Sequence, residues 1–317
     1  MPSFSVRLRL SCGAFVLALT AAPACAVLAA AQQPAPPIVL HAARLLDVAT
    51  GELIAPGEVL VEGDHIRAVG KSVDHPANAK VIDLGDVTLL PGLIDAHVHL
   101  FLHPGAEDLQ TVQESVPWRT LVAAEAAKAD LLAGFTAERD MGTEGAGSAD
   151  TAVRDAIDQG MIPGPRLRIS GNAIDILGGH EDALGFNPAQ HVLSNADYAN
   201  SADQIIEVMR AQHKQGSDFA KIYETGPDKM IDGVLHTPYQ YTAAQLTAAV
   251  EEARRLGTRV AVHAMGEPGT LYAAQAGVAS IDHATQLSDE TMRLMREKHI
   301  PAVPTFAIFD YFARHRE

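Results

Sequence analysis

Four histidines and a lysine are the residues of this sequence best placed to do chemistry. His97-Val98-His99 sets two imidazoles two residues apart. On a strand such residues point the same way, so both rings face one side. Neutral imidazole is a common ligand for zinc and similar metals. A His-x-His standing alone reads more simply as two polar residues at a strand end. Here, however, His263 and His283 close two further strand-like runs, Arg259-Val260-Ala261-Val262-His263 and Ser280-Ile281-Asp282-His283. Four histidines at the ends of three strands, in one register, are hard to explain as satisfied core residues.

Lys221 sits inside Phe219-Ala220-Lys221-Ile222-Tyr223, another strand-like run. A lysine buried there is costly unless it is paired, neutralised or modified. Two readings stand: an inward lysine salt-bridged to a neighbour, or a modified one. Tyr223 shares its face by strand alternation and is a candidate for substrate contact, with a mouth-lining aromatic as the plainer reading. His180, in the loop Gly178-Gly179-His180, is a second substrate candidate, or else a histidine that holds its turn. Trp118, His41, His65, His75 and His103 read as surface or packing residues.

The elements that must position these residues follow two rhythms. From Ile38 to about Leu90, Ile38-Val39-Leu40, Val59-Leu60-Val61, Ile66-Arg67-Ala68-Val69 and Lys80-Val81-Ile82 alternate with turn signals such as Thr50-Gly51, Pro56-Gly57 and Glu62-Gly63-Asp64. That pattern is a small β region. After Pro91-Gly92 strand, loop and helix repeat. Ser201 with Gln204 reads as a capping box, followed by Ile205, Val208, Met209 and Gln212 on one face up to Gly216. Thr242 with Gln245 repeats it, with Leu246, Ala249, Val250, Ala253 and Leu256 on one face and Gly257 as the stop. A helix from about Ser288 to Lys298, with Met292 and Met295 as core residues, and a strand from Pro301 to Phe306 complete the series. Earlier strands fall at Leu93 to His99, Gly134 to Arg139 and Arg166 to Ser170. Strands alternating with helices imply an α/β fold with a parallel sheet and helices outside. A closed barrel needs eight strands and about 250 residues. Seven are found, so the expectation is a barrel short of one βα unit.

Composition bounds the partners. Charged residues make up 20% and apolar ones 47%, which suits an ordinary globular core. The formal net charge of −15, with its basic residues scattered, argues against a nucleic-acid or anionic-membrane surface. Arg7 and Arg9 precede an apolar run from Leu10 to Ala22, and small residues lead to Ala29-Ala30-Ala31. This is the pattern of an export signal over residues 1–31, with Ala24-Cys25-Ala26 as an earlier cleavage option. Cys12 and Cys25 both lie in it, so cleavage after Ala31 leaves no disulfide and no thiolate metal site. The expected address is periplasmic or secreted. The organisation expected after the signal is a β domain over 38–90 and a barrel over 91–317.

The run Pro91-Gly92-Leu93-Ile94-Asp95-Ala96-His97-Val98-His99 resembles the signature of the amidohydrolase superfamily. Within it, Gly178-Gly179-His180, Lys221-Ile222-Tyr223, His263-Ala264-Met265-Gly266, Ile281-Asp282-His283 and Val303-Pro304-Thr305 are similar to the imidazolonepropionase-like, prolidase-like group. Gly178-Gly179-His180-Glu181-Asp182 with Gly185-Phe186-Asn187-Pro188 resembles bacterial amidohydrolases that cleave the amide of ochratoxin A, an N-acyl phenylalanine. Ala137-Glu138, before Arg139-Asp140, departs from the usual apolar pattern. The resemblance implies a (β/α)8 TIM-type barrel with a small N-terminal β-sandwich portion and two divalent metal ions. Zinc is the first choice of metal, with manganese or cobalt as alternatives. It also implies that His97 and His99 hold one metal, His263 and His283 the other, and that Lys221, carboxylated by CO2, bridges them. Paired metals activate water and polarise a carbonyl, so the implied reaction is hydrolysis of the amide of a dipeptide-like or N-acyl amino acid substrate.

The family places one more ligand, a general-base aspartate, at the end of the eighth strand. After His283 the acidic residues are Asp289, Glu290, Glu297, Asp310 and Glu317. The first three belong to a helix, Asp310 follows the seventh strand, and none has the Gly-Thr/Ser-Asp context. The catalytic aspartate is therefore expected beyond Glu317. Two alternatives remain at this point: a mononuclear deaminase-type member, against which Lys221 counts, and a metal-binding barrel without turnover. The family also implies a possible homo-oligomer.

Overall fold

The computed structural model describes residues 35–105, 107–187 and 189–314. The candidate export signal with Cys12 and Cys25, and Glu317, lie outside the described residues. The chain divides into two compact units, one up to Leu90 and one from Pro91 onward.

In the first unit, strand Ile38–Ala42 pairs antiparallel with Gly57–Glu62 and parallel with Lys80–Asp83, and His65–Gly70 extends the sheet beyond Gly57–Glu62. A second small sheet joins Leu53–Ile54, Arg44–Leu46 and Thr88–Leu89. Val39, Ala42, Val59 and Leu60 of the first sheet and Leu45 of the second are the unit's buried hydrophobic residues among those described. Gly57 is where the two sheets touch. A Cβ there would stand 2.4 Å from the Leu45 Cβ, so only glycine lets the backbones approach.

Every strand pair that builds the larger unit's two main sheets is parallel. Strands Leu93–Val98, Phe135–Asp140 and Arg166–Ile169 are neighbours in that order. A second sheet runs Ala196–Tyr198, Ala173–Asp175, Ala220–Tyr223, Val260–Ala264, Ser280–His283, Ala302–Val303. The third strand of the sequence reading, Arg166 to Ser170, ends at Ile169, and after Ser170-Gly171-Asn172 the chain opens an unexpected strand, Ala173–Asp175, in the second sheet. Helices cover the outside. Ile205 and Met209 from helix Ala202–Gln215, and Leu246, Ala249 and Ala253 from helix Ala243–Leu256, pack on the outward residues Val260, Val262 and Ile281. The curl of the strands is visible from the inside. Arg139 crosses the interior to Ser280 Oγ at 2.9 Å and Asp282 Oδ2 at 2.9 Å, while its Nε donates to the Ala96 carbonyl.

Several local expectations need correction. Thr242 and Gln245 do form a reciprocal capping box. Ser201 caps its helix by accepting from Gln204 N, but the Gln204 Oε1 goes to Asn200 N at 2.7 Å, so that box is only half made. Helix Asp289–Lys298 buries Thr291 and Met295, one turn apart, which leaves Met292 exposed rather than in the core. The strand expected from Pro301 to Phe306 is only Ala302–Val303, followed by a helix from Phe306 to Arg314. Asp310 lies on that helix, in an exposed pair with Arg314 at 2.9 Å. The long helix Val116–Ala133 had no signature because alanines sit all round it and leave no apolar stripe. Among the described residues no helix is long and apolar enough to cross a membrane.

Candidate metal centre

Strand ends bring the four histidines and the lysine to one place. The His97 and His99 rings have centroids 5.2 Å apart, His97 and His283 4.9 Å, and His263 and His283 4.5 Å. The Lys221 Nζ lies 4.9 Å from the centre of the Tyr223 ring, in keeping with their shared strand face.

Each of the four rings is held by one nitrogen. His97 Nδ1 is 2.7 Å from Asp282 Oδ2. His99 Nδ1 is 3.1 Å from the Gly142 carbonyl and 2.8 Å from Glu144 Oε1. His263 Nε2 is 3.1 Å from Asp228 Oδ2, and His283 Nδ1 is 2.8 Å from Thr305 Oγ1. Metal-ligating histidines are braced in this way, because the partner fixes the tautomer and aims the other nitrogen at the metal. The nitrogens left over include His97 Nε2 and His99 Nε2, which face each other across 3.2 Å.

The electrostatics point the same way. Burial pulls the His97 ring down to about 3 and His180 to about 4, and it holds His263 well below the usual imidazole range. The rings are therefore neutral, the form that binds metal. Burial pushes Asp282 up, but the hydrogen bond with His97 and the charges of Lys221 and Arg139 outweigh it and hold the carboxylate ionised. Lys221 is fully buried, and its Nζ has no hydrogen-bond partner among the described residues. Burial lowers its pKa and so favours the neutral amine, against the opposing charges of Asp282 and Glu144. A buried amine without a partner is hard to account for as a structural lysine.

His283 shows how the strand delivers two neighbours to one site. Its φ of +70° is left-handed, a conformation a non-glycine residue rarely adopts. Alternation would send Asp282 and His283 to opposite faces. The left-handed turn lets Asp282 stay in the wall beside His97 while His283 swings into the mouth.

The site opens into a cavity of about 650 Å³. One wall is polar, with His180, Tyr223 and Asp228 beside the four histidines. The other is apolar, with Leu102, Met265, Phe306 and Phe309. His180 stacks on Tyr223 with centroids 4.9 Å apart and planes 11° from parallel. Its backbone N–H donates to Gln240 Oε1, and Glu181 N–H donates to Asp175 Oδ2, so the loop is pinned at both residues. Sequence reasoning missed Asp228, Asp282, Glu144 and Thr305 as partners of the rings. Asp282 and Thr305 stood inside quoted motifs without a role, whereas Asp228 and Glu144 lie in loops that carry no periodic signal. The ligand atoms of His180, Asp228 and His263 lie within 4.8 Å of one another.

The pattern that defines the Amidohydrolase family matches residues 88–316. The chain belongs to this family. Among curated proteins, this amidohydrolase is 28% identical to the ochratoxinase of Aspergillus niger over 296 residues, which are 85% of this chain and 59% of that protein. It is 25% identical to the imidazolonepropionase of Streptomyces griseus over 246 residues, 75% of this chain and 59% of the relative. A solved Xaa-Pro dipeptidase with methionine bound in its active site superposes with a TM-score of 0.77 and 29% identity, covering 88% of this chain and 69% of the other. The chain spans about three-fifths of the length of the curated relatives it matches.

Proposed function

We propose that this chain carries the metal-holding part of a binuclear hydrolase with a TIM-type barrel, which cleaves the amide bonds of dipeptide-like or N-acyl amino acid substrates. One observation carries the reading: four imidazoles, each braced on one nitrogen by an oxygen, gather at strand ends beside a buried lysine whose amine has no hydrogen-bond partner among the described residues. His97 and His99 would hold one divalent ion and His263 and His283 the other, with Lys221, once carboxylated by CO2, supplying oxygen ligands between them. Nitrogen and oxygen ligands make zinc the first choice. When bound, such a pair lowers the pKa of water and polarises a carbonyl.

The protein's own groups do the rest. Burial raises the Tyr223 phenol well above its ordinary pKa, so it stays protonated and can donate to the oxygen that gains charge as an amide carbonyl is attacked. His180, stacked on Tyr223, fixes that ring and lines the same wall. Phe306 and Phe309 form an apolar wall that suits a bulky side chain or acyl group and displaces water. The substrate class rests on what the relatives are called, an ochratoxinase and an Xaa-Pro dipeptidase. The basic and apolar run of residues 1–31 supports export to the periplasm or beyond.

The test uses protein from its native source. Metal content is measured, and then release of proline from Xaa-Pro dipeptides and of phenylalanine from ochratoxin A. The expected result is two bound ions, cleavage of at least one substrate, and loss of cleavage on chelation that zinc restores. Absence of bound metal, or cleavage indifferent to chelation, overturns the reading.

A further inference from the structure

Three of the four ring braces come from places tied closely to the parallel strands. Asp282 lies on the strand that ends in His283, and Gly142 and Thr305 each lie two residues past the strands Phe135–Asp140 and Ala302–Val303. The fourth does not. Asp228 sits five residues past the end of strand Ala220–Tyr223, at the root of the exposed hairpin Lys229–Ile231 and Val234–His236. Its side chain is only 9% exposed.

The loop that carries it is held in place from several sides. Gly226 N–H donates to the Pro238 carbonyl at 2.9 Å, and Thr225 Oγ1 accepts from Met265 N–H at 3.0 Å and approaches Asp228 Oδ2 at 3.4 Å. A Cβ at Gly226, whose φ is +142°, would stand 2.4 Å from His180 Nδ1, so the loop lies directly against that ring. Asp228 Oδ2 is then 3.1 Å from His263 Nε2 and 3.8 Å from His180 Nδ1. The closeness of the three residues suggests a metal site of its own. The pattern of the other rings suggests a different role, since each turns its Nδ1 to an oxygen: His97 to Asp282, His99 to the Gly142 carbonyl and His283 to Thr305.

We infer that Asp228 is a positioning residue: its carboxylate accepts the Nε2–H of His263, fixes that tautomer, and so aims Nδ1 at the metal. The inference rests on the reading that His263 is a metal ligand. It makes the affinity for one of the two ions depend on a loop outside the sheet. Braces of this kind are worth about 10–100-fold in metal affinity.

Asp228→Ala and Asp228→Asn are compared with the wild type in two measurements. Competition with a metal chelator should show one ion weakened about 10–100-fold in Asp228→Ala, the other ion unchanged, and most of the affinity restored in Asp228→Asn, whose amide oxygen still accepts. Nitrogen NMR of the metal-free protein should find the His263 proton on Nε2 in the wild type and shared between nitrogens in Asp228→Ala. Equal losses in both variants would make the carboxylate a direct ligand and overturn the inference. Unchanged affinity with an unmoved tautomer overturns it as well. A wild type that takes up no metal overturns the hydrolase reading, while the tautomer still decides whether Asp228 holds His263.

Discussion

A lysine amine removed from water and left without an acceptor costs the fold, and that cost gives Lys221 a signature separable from catalysis. Lys221→Met keeps the length of the side chain and removes the orphaned polar group. The metal-free variant should be more stable than the wild type by about 1–3 kcal/mol, a rise of a few degrees in Tm, while its metal content falls. A variant that is less stable without metal would mean that the amine has a structural partner after all. Asp282 behaves in the opposite way. It is fully buried between His97 and Arg139, so Asp282→Asn leaves the guanidinium without its counter-charge and should cost about 3 kcal/mol in urea unfolding at neutral pH. A loss under about 1 kcal/mol would show that Arg139 finds water instead. At this scale the sequence carried the five side chains that the structure gathers at one place, because strand ends and two-residue spacing mark them. It did not carry their braces. Glu144 and Asp228 reach the rings from loops, and Asp282 braces His97 from a strand whose next residue, His283, is left-handed and breaks the alternation.

Elements were legible where one residue type has one mechanical use. Thr242 with Gln245 opens a helix and Gly257 closes it in the left-handed conformation, so its limits follow from its caps. Because both halves of that box are made, Thr242→Ala should cost about 1 kcal/mol. Ser201→Ala removes a single cap bond and leaves Gln204 on Asn200, so it should cost less. Equal costs in chemical unfolding would show that the reciprocal Gln245 bond adds nothing. Where the pattern failed, tertiary structure had overridden it. After Val303 the φ of Thr305 is +48°, and its hydroxyl meets His283 Nδ1, so the expected strand stops after two residues and a helix begins. Residues 173–175 and 196–198 are strands of three residues each, too short for a periodic signal. The overall alternation of strand and helix survived these errors, since it depends on the longer elements.

On the scale of the whole chain, the two units should answer pH in opposite directions. In the first, Glu58 is held down to about 2 by its hydrogen bond with His75 and by the Val73 N–H. A carboxyl lowered in the folded state adds stability that is complete above its ordinary 4.5 and is lost as pH falls toward 2. In the second, burial, followed by the charges of Asp130 and Asp95, pushes Glu138 up to about 8, and its Oε2 has no partner among the described residues. The folded chain then keeps a proton that the unfolded chain releases, so stability falls as pH rises from about 4.5 to about 8. Trp118, the one tryptophan of the sequence, lies in the second unit, so its fluorescence follows that unit while circular dichroism follows both. Urea unfolding should give a fluorescence midpoint that drops between pH 5 and 8 in the wild type and stays flatter in Glu138→Gln. Below pH 4.5 the dichroism should show an earlier loss that fluorescence does not see, and Glu58→Gln should remove its dependence on pH. Coincident transitions by both probes across the whole range would mean that the units unfold as one, and that neither carboxyl governs the half in which it lies.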